Sequence, residues 1–334
     1  MSRLRAGVIG LGVGRQHAAG YTAHPDCEVV ALCDISEEAL DGVKVEFPKA
    51  RLSRNAEDLL SDPAIDVVSI ASYDNYHYEQ IAAALGHNKH VFVEKPMCLY
   101  EHEAESLWEM HRAKPQLKLS SNLILRMCPR FRWLKGQIVE GRLGRLFYLD
   151  GDYNYGRLHK ITEGWRGRIE FYSVVYGGAI HLIDLMTWLT GGKVVEVAAF
   201  GNRVAADGSQ FKYNDLVACI LRFDSGLVAK VTSNFGCVSP HFHNLSVYGT
   251  EATFVNRPGA GLLYETRDPQ TPPREVTEAY PGVHKGDLIR SFVDSIRGRG
   301  PAEVSIEDAF RCMSVCFAVE KAASGAGVVP VRYQ

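Results

Sequence analysis

The first 120 residues alternate between short apolar runs and segments of helical polarity. Ala6-Gly7-Val8-Ile9, Glu28 to Asp34, Ile65 to Ala71 and His90 to Glu94 read as buried strands, because nearly continuous apolar runs suit a sheet covered on both faces. Helices are predicted from Gln16 to His24, after Ser36 as N-cap with Glu37 and Glu38 in the first turn, and from Tyr78 to Leu85, closed by Gly86 to Asn88. This alternation predicts a parallel, doubly wound sheet. From about residue 145 the pattern changes. Residues 146–155, 194–204, 215–223, 227–235 and 243–248 read as strands, and Asp224-Ser225-Gly226 and Gly249-Thr250-Glu251 have hairpin composition. One strongly apolar helix is expected from Ala179 to Leu189. The expected architecture is α/β: a doubly wound parallel sheet over residues 1–121, then an α+β domain over 122–334 with a large, mainly antiparallel sheet.

Composition narrows the class. A chain of 334 residues accommodates two domains, and 46% apolar with 23% charged residues is ordinary for a globular protein. A formal net charge of −2 gives no bulk attraction to nucleic acid or anionic membrane. No apolar stretch approaches the roughly 20 residues of a spanning helix. Met1 to Arg5 runs straight into the first strand, so no signal peptide and a cytoplasmic location are expected. The eight cysteines form no framework; Cys312 and Cys316 sit one helical turn apart without a second Cys/His pair, so buried reduced thiols and no metal are expected.

Directly after the first strand stands Gly10-Leu11-Gly12-Val13-Gly14-Arg15. A tight turn at the first glycine, close backbone approach at the second and free N–H groups at a helix start suit a dinucleotide pyrophosphate. Asp34 ends the next strand, where a carboxylate binds adenosine ribose hydroxyls and repels a 2′-phosphate; with Ile35 beside it, NAD is expected over NADP. The N-terminal domain therefore reads as Rossmann-type. Arg15 stands where a third glycine is usual and Gly14 comes one residue early, which loosens the close helix–strand approach. Arg15 either reaches the pyrophosphate or points to solvent.

Glu94-Lys95-Pro96 follows the His90–Val93 strand at its carboxyl end, where open sheets bind ligands. Lys95 there is placed to stabilise an oxygen becoming an alkoxide; the alternative is a surface lysine. His181 and Asp184 share a face of the apolar helix, as an acid/base pair or as a core histidine with its satisfying neighbour. Tyr153, Tyr155, Arg157, His159, Trp165 and Arg166 gather where the first C-terminal strand leaves its sheet. Aromatic faces and polar donors suit a sugar ring, and an ordinary strand with a polar loop is the alternative. Asn234, His241 and His243 are further pocket candidates. The two histidines share a strand face, but no carboxylate or cysteine completes a metal pair, so a surface or interface location is expected for them.

Four segments in order carry a resemblance: the glycine turn followed by His17, Ser72 to His77, His90 to Pro96, and Gly177 to Leu185. Together the chain resembles the glucose–fructose oxidoreductase / inositol dehydrogenase / rhizopine-catabolism (GFO/IDH/MocA) family over nearly its whole length. The resemblance implies NAD(P)-dependent hydride transfer at a ring carbon of a sugar, cyclitol or sugar derivative, with Lys95, His181 and Asp184 as the catalytic set. It implies cofactor contacts from Gly10, Gly12, Val13, Gly14, Arg15 and Asp34, and from Ser72, Tyr73, His77, Glu94 and Lys95. Lys95, Arg126, Tyr155, Trp165, Arg166 and His181 would face substrate. It further implies a Lys95-Pro96 peptide that is often cis, and a homo-oligomer, dimer or tetramer, built on the open face of the C-terminal sheet. Two departures stand out. Tyr73 replaces a usual proline, and Gly177 replaces an aspartate that many members carry four residues before the histidine. A nucleotide-sugar enzyme, a cofactor-binding protein without net turnover, and a lyase or glycosidase that recycles its NAD are the alternatives.

Overall fold

The computed structural model describes residues 2–333, which form two compact units. The first comprises residues 2–124 and 284–310. Its strands are β1 (Leu4–Ile9), β2 (Cys27–Cys33), β3 (Arg51–Ser53), β4 (Val67–Ile70), β5 (His90–Val93) and β6 (Leu119–Ser121). They pair in the order β3-β2-β1-β4-β5-β6, and every pairing is parallel. The chain winds outward from β1 in both directions, so the order reverses between β1 and β4, which is where such sheets leave a crevice at their carboxyl edge. The helices along this part are α1 (Gly14–Thr22), α2 (Glu37–Asp41), α3 (Glu57–Leu60), α4 (His77–Gly86) and α5 (Glu101–Arg112). Ser36 caps α2 as expected, its hydroxyl accepting from the Ala39 N–H at 3.2 Å.

The second unit comprises residues 125–283 and 311–333. After α6 (Pro129–Val139) come β7 (Leu146–Asn154), α7 (His159–Thr162), α8 (Ile180–Thr190), β8 (Val194–Asn202), β9 (Leu216–Phe223), β10 (Val228–Asn234), β11 (Phe242–Gly249), β12 (Thr253–Asn256), β13 (Gly261–Tyr264) and β14 (Arg274–Val276). Helices α9 (Asp287–Ile296) and α10 (Ile306–Lys321) and the short β15 (Val329–Pro330) complete the chain. The nine strands pair in the order β14-β13-β12-β11-β7-β10-β9-β8-β15. All these contacts are antiparallel except β7 with β10, which is parallel. Along β7 the buried residues are Leu149, Gly151 and Tyr153, and α8, buried along nearly its whole length, lies against this face. The period-two pattern placed the strands from 146 to 248 closely.

The division differs from 121/122 in one respect. Residues 284–310 belong to the first unit, because α9 is amphipathic and buries Leu288, Ile289, Phe292 and Val293 there. The Phe292 ring lies 5.5 Å from that of Phe92 on β5, and the Lys285 N–H donates to Gln16 Oε1 at 2.9 Å. Periodicity announces a buried face without saying against what it is buried. Among the described residues no helix is long and apolar enough to cross a membrane.

Candidate active site

At the carboxyl edge of the first unit's sheet, the chain leaves β1 through Gly10, whose φ of +83° is open to glycine at little cost. A Cβ at this position would stand 2.8 Å from the Ser72 nitrogen, so the turn lies hard against the end of β4. At Gly12 the surrounding space is open, with nothing within 4 Å of where a Cβ would be. No side chain caps the N-terminus of α1, and its first turn carries no acid. Asp34 accepts from the Leu11 N–H at 2.6 Å and from the Ser36 N–H at 2.8 Å, which fixes its carboxylate beside the turn. Open backbone, an unblocked helix start and a fixed carboxylate fit a dinucleotide with free ribose hydroxyls.

Several expectations at this edge are revised. Gly14 does not loosen the helix: a Cβ there would come 2.8 Å from Val8 Cγ1, so Gly14 itself permits the close helix–strand approach. Arg15 Nε donates to Glu46 Oε2 at 2.7 Å in a largely exposed ion pair, the solvent-facing alternative. Glu94 is anchored within the unit. Its buried carboxylate accepts from Asn122 Nδ2 at 2.7 Å and lies 3.2 Å from His17 Nε2, while His17 Nδ1 meets Ser69 Oγ at 2.9 Å. Burial opposes its ionisation, but Lys285, the His17 hydrogen bond and Lys95 outweigh burial and hold this carboxyl well below the ordinary range. His77 is also buried; its ring nitrogens lie 2.6 Å from the Pro96 carbonyl and 3.1 Å from the Ser72 carbonyl. It braces the Ser72 loop to the segment after β5. Ser72 Oγ donates to Gln80 Oε1 at 2.8 Å and Tyr73 is partly exposed. The Lys95-Pro96 peptide is cis, and half-buried Lys95 follows β5 directly.

In the second unit, His181 is the second residue of α8 and is buried. Its ring stacks on Tyr153 (6.0 Å between centroids, 21° between planes) and stands edge-on to His243 (6.1 Å, 89°). Tyr155 stacks on Tyr153 at 5.9 Å and touches Phe235 at 4.5 Å. Arg166 lies over Trp165 at 4.5 Å and Tyr172 at 5.8 Å, and Tyr172 in turn is edge-on to Phe235 at 6.2 Å. Residues taken from β7, α8, β10's end and β11 thus form one cluster of rings. Flat apolar faces edged by polar donors suit a polyol ring. His243 belongs to this cluster and is buried, contrary to the expected surface or interface location. Among the described residues no group of three His, Cys, Asp or Glu could hold a metal.

Asp184 and Arg126 bind each other. Arg126 Nη2 donates to Asp184 Oδ1 at 2.6 Å and Nε to Oδ2 at 3.0 Å, and both side chains are buried. The carboxylate expected to serve His181 is therefore bonded to the guanidinium expected to meet substrate, and the two form an ion pair inside the unit. At Gly177 the backbone forms a π-helical turn, Val175–Ala179, before α8. A Cβ at 177 would stand 2.9 Å from Tyr172 Cζ and nearer still to the Tyr172 hydroxyl, with Phe235 Cζ at 3.2 Å. The phenol fills the space into which an aspartate would extend. Gly177→Asp is expected to cost about 1–3 kcal/mol by overpacking, and truncation of Tyr172 to alanine in the same chain should return part of it. Denaturant unfolding of the single and double variants checks this; a fully stable Gly177→Asp variant contradicts it.

The family described as "Oxidoreductase family, NAD-binding Rossmann fold" matches residues 4–122, and the GFO/IDH/MocA C-terminal domain matches residues 131–255. The chain belongs to the GFO/IDH/MocA family. It is thus an oxidoreductase of a family whose first domain binds NAD. Myo-inositol 2-dehydrogenase of Thermotoga maritima is 26% identical to it over 95% of this chain and 96% of the relative. 1,5-Anhydro-D-fructose reductase of Ensifer adhaerens is 24% identical over 96% of each. The solved structure of levoglucosan dehydrogenase with NADH shares the fold at a TM-score of 0.87, with 21% identity and complete coverage of both chains. Neither family match names site residues, so those assignments rest on the geometry above.

Proposed function

We propose that this chain oxidises or reduces a ring CH–OH group of a free sugar or cyclitol with NAD(H). The observation that carries the substrate class is the His181 cluster, where a buried imidazole lies flat on Tyr153 among rings and hydroxyls. The names of its relatives, an inositol dehydrogenase and an anhydrofructose reductase, agree with it. Gly10 to Gly14 and Asp34 would hold the dinucleotide, and the Ser72–Tyr73 loop would border it. Bound NAD supplies the hydride acceptor. During oxidation the substrate hydroxyl gives its proton to a ring nitrogen of His181, and the Lys95 ammonium stabilises the negative charge on that oxygen. Tyr155, Trp165 and Arg166 offer stacking faces and donors to the ring. The protein works in the cytoplasm as a homo-oligomer. The open face of the nine-stranded sheet, where Phe200 is 84% and Ile220 45% exposed, supports a second copy covering it.

The test is absorbance of the NADH band with cyclitols, aldoses, anhydrosugars and nucleotide sugars, run in both directions. Turnover with a ring polyol is expected. NADH binding without turnover of any compound would favour the reading as a cofactor-binding protein, and product formed only with bound cofactor but without net NADH would favour the recycling reading. Asp34→Ala should cut the preference for NADH over NADPH by about tenfold or more, since hydrogen bonds to a charged group contribute about 1.5–3 kcal/mol. Fluorescence titration of both cofactors measures the ratio, and a wild-type protein that already prefers NADPH defeats the assignment.

A further inference from the structure

His243 on β11 has a partner that fixes its proton. Its Nδ1 lies 2.6 Å from the Tyr280 hydroxyl, and its backbone N–H donates to the same oxygen at 2.9 Å. Behind this pair Arg130 Nη1 donates to Asn256 Oδ1 at 2.9 Å, and Asn256 Nδ2 donates to the His243 carbonyl at 2.8 Å. The Tyr280 oxygen accepts from the His243 backbone N–H, and at 2.6 Å Nδ1 is the acceptor placed to receive the phenol proton. An imidazole that accepts at Nδ1 carries its hydrogen at Nε2.

We propose that Tyr280 locks His243 as the neutral Nε2–H tautomer, and that His243 is a positioning residue for His181, presenting it with a fixed dipole and never with a second positive charge. This rests on the reading of His181 as the acid/base group. His243 stands edge-on to His181, and Tyr153 lies against both rings, 6.0 Å from His181 and 5.2 Å from His243. The groups facing His243 are Tyr153 from β7, His241 on its own strand at 4.8 Å, His181 from α8 and Tyr280. Behind them Arg130 places its guanidinium 5.4 Å from the Tyr280 ring centre. That charge disfavours a cation at His243, and the Tyr280 proton occupies the nitrogen that would take one. Burial opposes ionisation of the Tyr280 phenol, so the proton stays available to donate. A histidine that gains a proton in each turnover needs neighbours that do not compete for positive charge. His181 then has a neutral imidazole at its edge.

The test is the ring-nitrogen spectrum of the full-length, 15N-histidine-labelled protein, with His243→Gln and His181→Asn used for assignment. Wild-type His243 is expected to show the Nε2–H pattern. Tyr280→Phe keeps the ring and removes only the hydroxyl; it should give mixed tautomers at His243 and move the His181 midpoint. A wild-type Nδ1–H pattern, or an unchanged spectrum in Tyr280→Phe, overturns the proposal whether or not a substrate is known. Once one is known, Tyr280→Phe should lower kcat about tenfold and shift its pH profile while the NADH Kd stays put; an unchanged profile rejects the positioning role even if the tautomer is as expected. Failure of the substrate panel leaves the spectrum readable, so the two failures are distinguishable. If Tyr280→Phe does not fold, the wild-type spectrum alone decides, since an Nδ1–H pattern at His243 overturns the proposal.

Discussion

Lys95→Ala lowers kcat by about 10²–10³-fold, the usual loss when one donor to a developing oxyanion is removed, and leaves the NADH Kd nearly unchanged. The size follows from where the side chain stands. Lys95 follows β5 at the carboxyl edge of a parallel sheet, beside a Pro96 carbonyl held by His77. A half-buried ammonium in such a place is held more firmly than a surface lysine and acts in a medium less screening than water. Its attraction for a substrate oxygen grows as negative charge appears, so kcat and kcat/KM should fall together. The dinucleotide would be held by other groups, Gly10 to Gly14 and Asp34. Fluorescence titration of NADH beside steady-state turnover separates the two effects, and an unchanged kcat removes Lys95 from the chemistry.

Asp184→Ala costs about 3–5 kcal/mol of stability, because it leaves the Arg126 guanidinium buried without its counter-charge. Arg126→Ala costs a similar amount for the reverse reason. Replacing both at once, Arg126→Met with Asp184→Leu, should recover most of the loss, since two apolar groups of similar volume have no charge to desolvate. Urea unfolding of the three variants completes the cycle. The catalytic reading of Asp184 predicts something different: a stable Asp184→Ala protein that has lost turnover. That result would return Asp184 to the reaction.

How much of this was legible in the sequence depended on the range over which each cause acts. The glycine turn, Asp34 and Lys95 are local: each side chain sits within a residue or two of the end of a buried strand, so the strand pattern places it. The Ser36 cap and the hairpin at Asp224 to Gly226 are local too, and both hold. For Glu94 and His77 the motif position says where the backbone runs, not which way the side chain turns. Glu94 turns to His17 and Asn122, which the sheet brings beside it from α1 and the end of β6. Asp184 lies three residues from His181, yet its carboxylate is bonded to Arg126 from outside the helix. The Tyr280 bond to His243 joins a strand to a segment thirty-seven positions later. No periodicity encodes such pairings, and the one local hint, two histidines alternating on a strand, was shared with any edge strand. Gly177 was visible as a departure, but its reason, the Tyr172 phenol, came from the packed interior.

The single parallel pairing of the second unit also has a kinetic side. Some antiparallel pairs can zip from short turns, as β9 does with β10 and β11 with β12, whereas β7 finds both its neighbours across long loops, Tyr148 meeting Val228 on one side and Tyr248 on the other. Closing so long a loop consumes chain entropy before any contact returns it, so these pairings are expected to form slowly. Tyr153 rides on β7, Phe235 follows β10, and His181 lies within the loop between them, so the ring cluster is assembled only once β7 has found its place.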